Sequence, residues 1–99
     1  MLNPSIRRVT KMNARITDVS IKTPDGVIWS LPEPNRHGDV IELIFNTVNN
    51  GKMVIGEQGF LINNQYFVNR QEALTIAIFN EQLIAKHPQP YELYSEDIW

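Results

Sequence analysis

The chain has 99 residues, a formal net charge of −2 at pH 7 and no cysteine. The length predicts one domain with a modest core, and the small net charge excludes a general electrostatic attraction to nucleic acid or to acidic membranes. The lack of cysteine excludes disulfides, thiol catalysis and thiolate metal sites, and it is typical of a protein in a reducing cytosol.

Basic residues are concentrated near the start of the chain. Arg7, Arg8, Lys11 and Arg15 are four of the nine basic residues. We predict that residues 1–14 form a basic arm, whose order the sequence leaves open, and that residues 15–99 form a single α+β domain. The arm could pair with the acidic C-terminal end of the chain, or both ends could simply be solvated. These first residues lack the apolar run of a signal peptide.

The stretch "RITDVSIKTPDGVIWSLP" predicts a β-hairpin. Apolar and polar side chains alternate over Thr17–Lys22, which is the period of a strand with one apolar face. The segment Thr23–Gly26 predicts the turn, because proline fixes φ, aspartate binds the local backbone and glycine permits a positive φ. The return strand carries Trp29, which we expect in the core, and Pro32 ends it.

A first amphipathic helix is predicted after this hairpin. Its apolar stripe consists of Val40, Ile41, Ile44 and Val48, with Leu43 alongside. Asn35 is predicted to cap the helix, which puts Arg36, His37 and Gly38 in its first turn. Residues 49–51, Asn-Asn-Gly, predict a left-handed stop.

The stretch "MVIGEQGFLINNQYFVN" predicts a second hairpin with Asn63-Asn64 as a two-residue turn. That turn places Phe60 opposite Phe67. One face then carries Phe60, Ile62 and Phe67, and the other carries Leu61, Tyr66 and Val68. Both faces would be apolar, and a small domain has one core to cover one of them. We therefore expect the second face to meet another subunit or to line an aromatic pocket.

A second helix is predicted over "NRQEALTIAIFNEQLIAK", ending at "KHPQP". Asn69 and Glu72 have the spacing of a capping box, and Asn80 on the buried side needs a partner. The following "YELYSEDIW" is too aromatic for a disordered tail, so we expect it to dock. The order β-β-α-β-β-α predicts an α+β fold, with a small antiparallel sheet from two hairpins, two amphipathic helices and a docked tail.

The sequence contains no strong catalytic or metal-binding pattern. The histidines His37 and His87 show no HxxxH or HExxH spacing. A triad could be drawn from Ser30, His37 and Asp39, but no nucleophile elbow supports it. A Walker loop and a GxGxxG motif are also missing. We predict no catalytic residue, no metal and no cofactor, and a binding protein rather than an enzyme.

Two arginines suggest an anion site. Arg36 and Arg70 each stand at a predicted helix start, where free backbone N–H groups and a partial positive charge favour phosphate. A guanidinium can hold a phosphate through two parallel hydrogen bonds, and Gly38 would let the backbone approach the ligand closely. Phe60 and Tyr66 supply aromatic faces for a base. The alternative is that Arg36 pairs with Glu33 or Asp39, and that Arg70 pairs with Glu72 or with the acidic C-terminal tail.

His37 also has two interpretations. A histidine in a first helical turn is commonly a satisfied polar residue. If it instead faces the phosphate, protonation would strengthen binding, and affinity would rise as the pH falls toward 6. The predicted ligand site thus consists of Arg36, His37, Gly38, Phe60, Tyr66 and Arg70.

Three stretches resemble a pattern in small bacteriophage proteins: "TPDGVIWSLPEPNRHGDVI", "GEQGFLINNQYFVNRQEALTIA" and "LYSEDIW". That pattern has a Gly-Phe strand, a tight turn, an aromatic-Val-Asp/Asn-Arg segment, a Glu-Ala helix and a terminal Ser-Glu-Asp-Leu-Trp, where this chain has Ile98 for leucine. The stretches are similar to a phage Thoeris anti-defence family. The resemblance implies a protein that binds the cyclic ADP-ribose-type signal of a defence enzyme and sequesters it without cleavage; related phage proteins trap cyclic oligonucleotides.

The residues and the resemblance together predict a homo-oligomeric phage anti-defence protein of the host cytoplasm that sequesters a nucleotide immune signal. The alternative is a protein–protein inhibitor that binds a host defence protein directly, through the basic arm or the acidic, aromatic tail. Nucleic acid binding is a weak third hypothesis, because four basic charges near one end give only a modest polyelectrolyte effect. No membrane association is predicted, since the longest strongly apolar run, Ile76–Phe79, is too short to span a bilayer.

Overall fold

A computed structural model describes residues 14–48, 56–85 and 91–99. The elements are β1 (Ile16–Lys22), β2 (Ile28–Pro32), α1 (His37–Thr47), β3 (Glu57–Ile62), β4 (Tyr66–Asn69), α2 (Arg70–Phe79) and a 3-10 turn (Ser95–Asp97). This is the predicted β-β-α-β-β-α order of an α+β fold. Residues 1–13 of the predicted basic arm and the predicted helix stop at 49–51 lie outside the described residues.

The four strands form one antiparallel sheet in the order β2-β1-β3-β4. Val19 on β1 lies opposite Leu31 on β2 and Phe60 on β3, so these side chains share a face of the sheet. Both helices pack on this face, because residues of α1 and α2 belong to the same buried cluster as Val19 and Phe60. The structure is therefore a two-layer domain with one core.

The core joins both helices, the sheet and the C-terminal segment. Its buried apolar side chains, among the described residues, are Ala14, Ile16, Val19, Ile21, Val40, Ile44, Phe60, Ile62, Ala73, Leu74, Ile76, Ala77, Leu93 and Ile98. Leu93 and Ile98 confirm the prediction that the tail docks. Trp29 is partly buried against this cluster, as expected. Ala14, which the sequence placed in the arm, is a core residue.

The second hairpin has a register one residue away from the predicted one. Ile62 pairs with Tyr66 and Phe60 with Val68, so the loop has three residues instead of two. Both asparagines of the loop are left-handed, with φ of 51° at Asn63 and 56° at Asn64. The prediction that Phe60 and Phe67 share a face is therefore wrong, since a shift of one residue exchanges the faces of a strand.

The loop is held in place by the first strand. The backbone N–H of Asn63 donates to the carbonyl of Arg15 at 2.8 Å, and the side chain of Asn63 accepts from the Arg15 N–H at 3.0 Å. The amide of Asn64 donates to both carboxylate oxygens of the buried Asp18, at 3.0 and 3.2 Å. These bonds, made by residues more than forty positions apart in sequence, select the longer loop.

The second face of the sheet is more polar than predicted. It carries Leu61 and Phe67, which pair with each other, and on β1 it carries Asp18 and Ser20. Leu61 is buried and Phe67 is half-buried. The prediction of an oligomer rested on two apolar faces of the second hairpin. The observed register places Leu61 and Phe67 beside polar residues of β1, so the second face is only partly apolar.

Helix α2 begins at Arg70 with the predicted capping box: Asn69 accepts from the Glu72 N–H at 2.8 Å and Glu72 accepts from the Asn69 N–H at 2.9 Å. It ends at Phe79, well before the predicted "KHPQP" break. Gln82 N–H donates to the Ala77 carbonyl at 2.9 Å and Glu81 N–H to the Ile78 carbonyl at 3.2 Å. These two bonds define a Schellman motif, which terminates the helix.

Two amide side chains explain why the chain leaves the helix at this point. Gln82 accepts from the Ile16 N–H at 2.9 Å and donates to the Ile16 carbonyl at 3.0 Å. The Gln82 side chain thus pairs with the backbone of β1 at a residue with which β2 does not pair. Asn80 donates to the Ala14 carbonyl, so its predicted partner is a backbone group of the same chain. Buried polar backbone groups must find partners, and here they determine where α2 stops.

Replacing Glu81 by glycine should stabilise the protein. Glu81 occupies the left-handed position of the Schellman motif with φ of 55°, a conformation that glycine adopts without a Cβ clash. We expect the free energy of unfolding to rise by up to about 1 kcal/mol, measured by urea denaturation. Glu81→Ala is the control, since it removes the same carboxylate and keeps the Cβ. Equal stabilities of the two variants would contradict the prediction.

Candidate functional site

The start of α1 differs from the prediction. The helix begins at His37 with Arg36 as its N-cap, and the Arg36 N–H donates to Asp39 Oδ2 at 2.8 Å. The Asn35 amide instead donates to the Pro32 carbonyl at 2.8 Å, because it closes the turn that leaves β2. The prediction of Asn35 as the cap is wrong by one residue.

The guanidinium of Arg36 contacts the C-terminal segment. Its Nη2 donates to the Trp99 carbonyl at 2.9 Å, and the Trp99 indole N–H donates to the Asn35 carbonyl at 2.6 Å. Arg36 itself is exposed. The contact between Arg36 and Trp99 fastens the tail to α1.

His37 lies inside the fold. It is 6% exposed, its Nε2–H donates to the Gly59 carbonyl at 2.7 Å, and its ring meets the Phe60 ring edge-to-face at 4.9 Å. Burial lowers the pKa of His37, and the charge of Arg70 lowers it further. The neutral imidazole is therefore the favoured form, whereas the predicted phosphate contact would use the imidazolium.

The other predicted site residues differ widely in accessibility. Phe60 is fully buried between His37 and Trp99, so stacking on a base would require the core to open. Gly38 is exposed, and a Cβ built on it would meet nothing within 4 Å. Tyr66 is 49% exposed at the start of β4, roughly 13 Å along the strand from Arg70.

Of the predicted site residues, Arg70 lies in the wall of a cleft. Its guanidinium donates from Nη2 to Gln58 Oε1 and lies over the ring of Tyr94, with 4.5 Å from Cζ to the ring centroid. Its backbone carbonyl accepts from the Leu93 N–H at 3.0 Å. Among the described residues, Arg70 Nε is a buried donor atom with no hydrogen-bond partner.

The cleft has a volume of about 370 Å³ and is lined by Gly56, Glu57, Gln58, Asn69, Arg70, Gln71 and Glu92. The end of β4, the start of α2, the start of β3 and the C-terminal segment thus meet here. Its lining offers one guanidinium, several amides and two carboxylates. Such a set can bind an anion at Arg70 and hydroxyl or amide groups elsewhere.

The sequence pointed to Arg70 but missed its neighbours. A helix start is visible as a local pattern, whereas Gln58, Glu92 and Tyr94 reach Arg70 only through strand pairing and tail docking. Two predictions pointed to the tail: its docking, and the alternative that Arg70 pairs with its acidic residues.

The neutral state of His37 predicts a pH effect. In the folded protein the pKa of His37 is lowered below the ordinary value of 6.5, so between these two pKa values the unfolded chain binds more protons than the folded one. The stabilisation by neutral His37 is therefore present above pH 6.5, and it is lost as the pH falls through the folded pKa. The melting temperature should therefore drop between pH 7 and pH 5, where most carboxylates stay ionised.

His37→Gln, which keeps a donor for the Gly59 carbonyl, should reduce this drop, measured by thermal unfolding at each pH. His87→Gln is the control for the second histidine. An unchanged drop in His37→Gln would show that His37 is not the responsible group.

Within the ranges 14–48, 56–85 and 91–99 no group of three or more histidine, cysteine or acidic residues is placed to bind a metal ion. No helix in those same ranges is long and apolar enough to cross a membrane.

The fold and cleft define a small two-layer α+β domain with an arginine in a polar surface cleft. Residues 10–99 match the phage T4 y16D protein family. The chain belongs to this family and is a small bacteriophage protein. The predicted resemblance to small bacteriophage proteins is thereby confirmed. Neither a curated protein nor a solved structure matches the chain.

Proposed function

We propose that the protein is a phage anti-defence protein that binds a nucleotide immune signal, of the cyclic ADP-ribose type or a cyclic oligonucleotide, and sequesters it without cleavage. The observation that carries the proposal is the guanidinium of Arg70 in the wall of a polar cleft at the start of α2. A sequestering protein needs binding groups and no catalytic group.

The chemistry of the cleft supports a ligand with several kinds of polar group. A phosphate would bind to Arg70, where the positive end of the α2 dipole adds to the guanidinium charge. The carboxylates of Glu57 and Glu92 would repel a second phosphate but accept hydrogen bonds from ribose hydroxyls. Gln58 and Gln71 carry both donors and acceptors, which suit the edge of a base.

The other predicted residues would act in a homo-oligomer. Arg36, Gly38 and Tyr66 do not line the cleft of the same chain, but Arg36 and Gly38 lie exposed at the start of α1 and Tyr66 is half exposed at the start of β4. A second copy could present them to the bound ligand. Sedimentation velocity with and without ligand tests this part of the proposal.

The first experiment is a thermal shift measurement against cyclic oligonucleotides and ADP-ribose derivatives. A ligand at about 100 times its dissociation constant adds roughly 2.7 kcal/mol to the free energy of unfolding, which shifts the melting temperature of a domain this size by several degrees. Recovery of intact ligand after heating would distinguish sequestration from cleavage. No shift with either ligand class would count against the proposal.

Arg70→Ala should abolish the ligand-induced shift, because the variant loses the charge that binds phosphate and leaves the cleft acidic. Arg15→Ala is the matched control, since Arg15 is exposed and hydrogen-bonds to Asn63 through its backbone. Arg36→Ala is also expected to lose binding if a second copy contributes Arg36. Normal ligand binding by Arg70→Ala would remove Arg70 from the site.

A second candidate function is direct inhibition of a host defence protein. It is favoured by three large apolar side chains at and beyond the end of α2: Ile78, Phe79 and Ile84 are 58%, 55% and 66% exposed. Exposed apolar groups of this kind are common at protein interfaces. A stable complex with a host protein, lost in Phe79→Ser, together with no nucleotide shift, would favour this function.

A further inference from the structure

We propose that Tyr94 is a positioning residue for Arg70, so that the C-terminal segment, residues 91–99, completes the binding cleft. The inference deepens the proposed function and rests on it for its ligand.

The C-terminal segment meets Arg70 in two ways. The Leu93 N–H donates to the Arg70 carbonyl at 3.0 Å, which fixes the segment against the first residue of α2. The next residue, Tyr94, then places its ring against the guanidinium, 4.5 Å from Cζ to the centroid. A third residue of the region, Glu92, lines the same cleft.

The ring of Tyr94 is itself held in place. The side chain of Leu93 is fully buried in the core, and the Tyr94 N–H donates to Asp97 Oδ2 at 2.8 Å at the start of the 3-10 turn. The backbone on both sides of the ring is therefore fixed before any ligand arrives. A flexible arginine loses substantial side-chain entropy when it binds, and a rigid ring reduces that loss.

The two contacts of the guanidinium are complementary. The guanidinium carbon of Arg70 lies over the Tyr94 ring, while its Nη2 donates to Gln58 on β3. A contact with an aromatic ring restrains the guanidinium without using a hydrogen-bond donor, so its N–H groups remain available for hydrogen bonds. Arg70 Nε keeps an unused donor among the described residues. An anion that replaced Gln58 on the Nε–Nη2 edge would receive two parallel hydrogen bonds.

The alternative is that Tyr94 only packs, and the two roles predict different results. If Tyr94 positions Arg70, an aromatic ring is required: Tyr94→Phe should bind like the wild type, whereas Tyr94→Leu should bind about 5- to 30-fold more weakly. If Tyr94 only packs, binding should follow stability in both variants. Tyr91→Leu is the matched control, since Tyr91 belongs to the same segment and is 76% exposed.

The experiment is calorimetric titration of the full chain and the three variants with cyclic ADP-ribose and with cyclic di-AMP, alongside their melting temperatures. A second measurement needs no ligand. In a ¹⁵N-correlated NMR spectrum of the wild type, the Arg70 side-chain protons should be shifted upfield by the Tyr94 ring current. This shift should persist in Tyr94→Phe and vanish in Tyr94→Leu.

Normal binding by Tyr94→Leu, or an Arg70 without a ring-current shift in the wild type, would overturn the inference. Weak binding by Tyr94→Leu with normal binding by Tyr94→Phe and Tyr91→Leu would support it. If the wild type binds neither probe, it is the proposed function that fails, and the NMR spectra alone decide whether Tyr94 positions Arg70. The same spectra decide the question if Tyr94→Leu does not fold.

Discussion

Phe60→Ala should lower the free energy of unfolding by about 3–5 kcal/mol, which is the usual effect of truncating a buried phenylalanine. Phe60 is fully buried, and its ring contacts those of His37 and Trp99. Removing it opens a cavity where β3, the start of α1 and the C-terminal segment meet. Since small domains are stable by only 5–15 kcal/mol in general, we expect the variant to be partly unfolded at 37 °C.

Phe79→Ala is the matched control, because it removes the same side chain from a position that is 55% exposed. Its stability should stay within about 0.5 kcal/mol of the wild type. Both variants are measured by urea denaturation, with tryptophan fluorescence as the probe. A Phe60→Ala protein as stable as Phe79→Ala would show that the ring is not a core residue, and it would restore the prediction that Phe60 faces a ligand.

Local patterns in the sequence were sufficient for most elements of the fold. The alternation over residues 17–22, the capping box of Asn69 and Glu72 and the aromatic tail all correspond to observed structure. Each pattern is set by residues close together in the chain, and each agrees with the packing. The fold class followed from their order.

The errors in the fold arose where distant contacts decide between similar local solutions. Two asparagines accept left-handed conformations in a two-residue or a three-residue loop, and the bonds of Asn63 to Arg15 and of Asn64 to Asp18 select the longer one. The end of α2 carries no glycine signal, because Glu81 takes the left-handed position. The amide of Gln82, bonded to Ile16, favours that end over a longer helix.

In the candidate site, too, local patterns could be predicted and distant contacts could not. The start of α2 could be predicted from its cap, and Arg70 with it. The burial of His37 and Phe60 could not, because it depends on where the tail docks and on which face of β3 is turned to the helices. From the sequence alone, a residue in the first turn of a helix or beside a β-turn can be assigned either to a ligand site or to the core. The surface that packs against it distinguishes the two assignments.

Gly59→Ala should be strongly destabilising, with a loss of about 3 kcal/mol or more in the free energy of unfolding. A Cβ at Gly59 would lie 2.2 Å from the Val68 carbonyl oxygen and 2.6 Å from Cζ of Phe67. The ring could rotate away, but the carbonyl belongs to the paired strand β4, so the hairpin itself must move. That movement would also disturb the Gly59 carbonyl, which accepts the hydrogen bond of His37.

The same substitution at Gly38 should have the opposite sign. A Cβ there meets nothing within 4 Å, and alanine is preferred to glycine in a helix by about 1 kcal/mol, so Gly38→Ala should be neutral or stabilising. Urea denaturation of the two variants checks both expectations. If Gly59→Ala were as stable as Gly38→Ala, the close approach of β3 and β4 would be wrong. Because Gly38→Ala is expected to fold normally, a loss of the proposed nucleotide binding in that variant would place the start of α1 at the ligand, whereas unchanged binding would remove Gly38 from the predicted site.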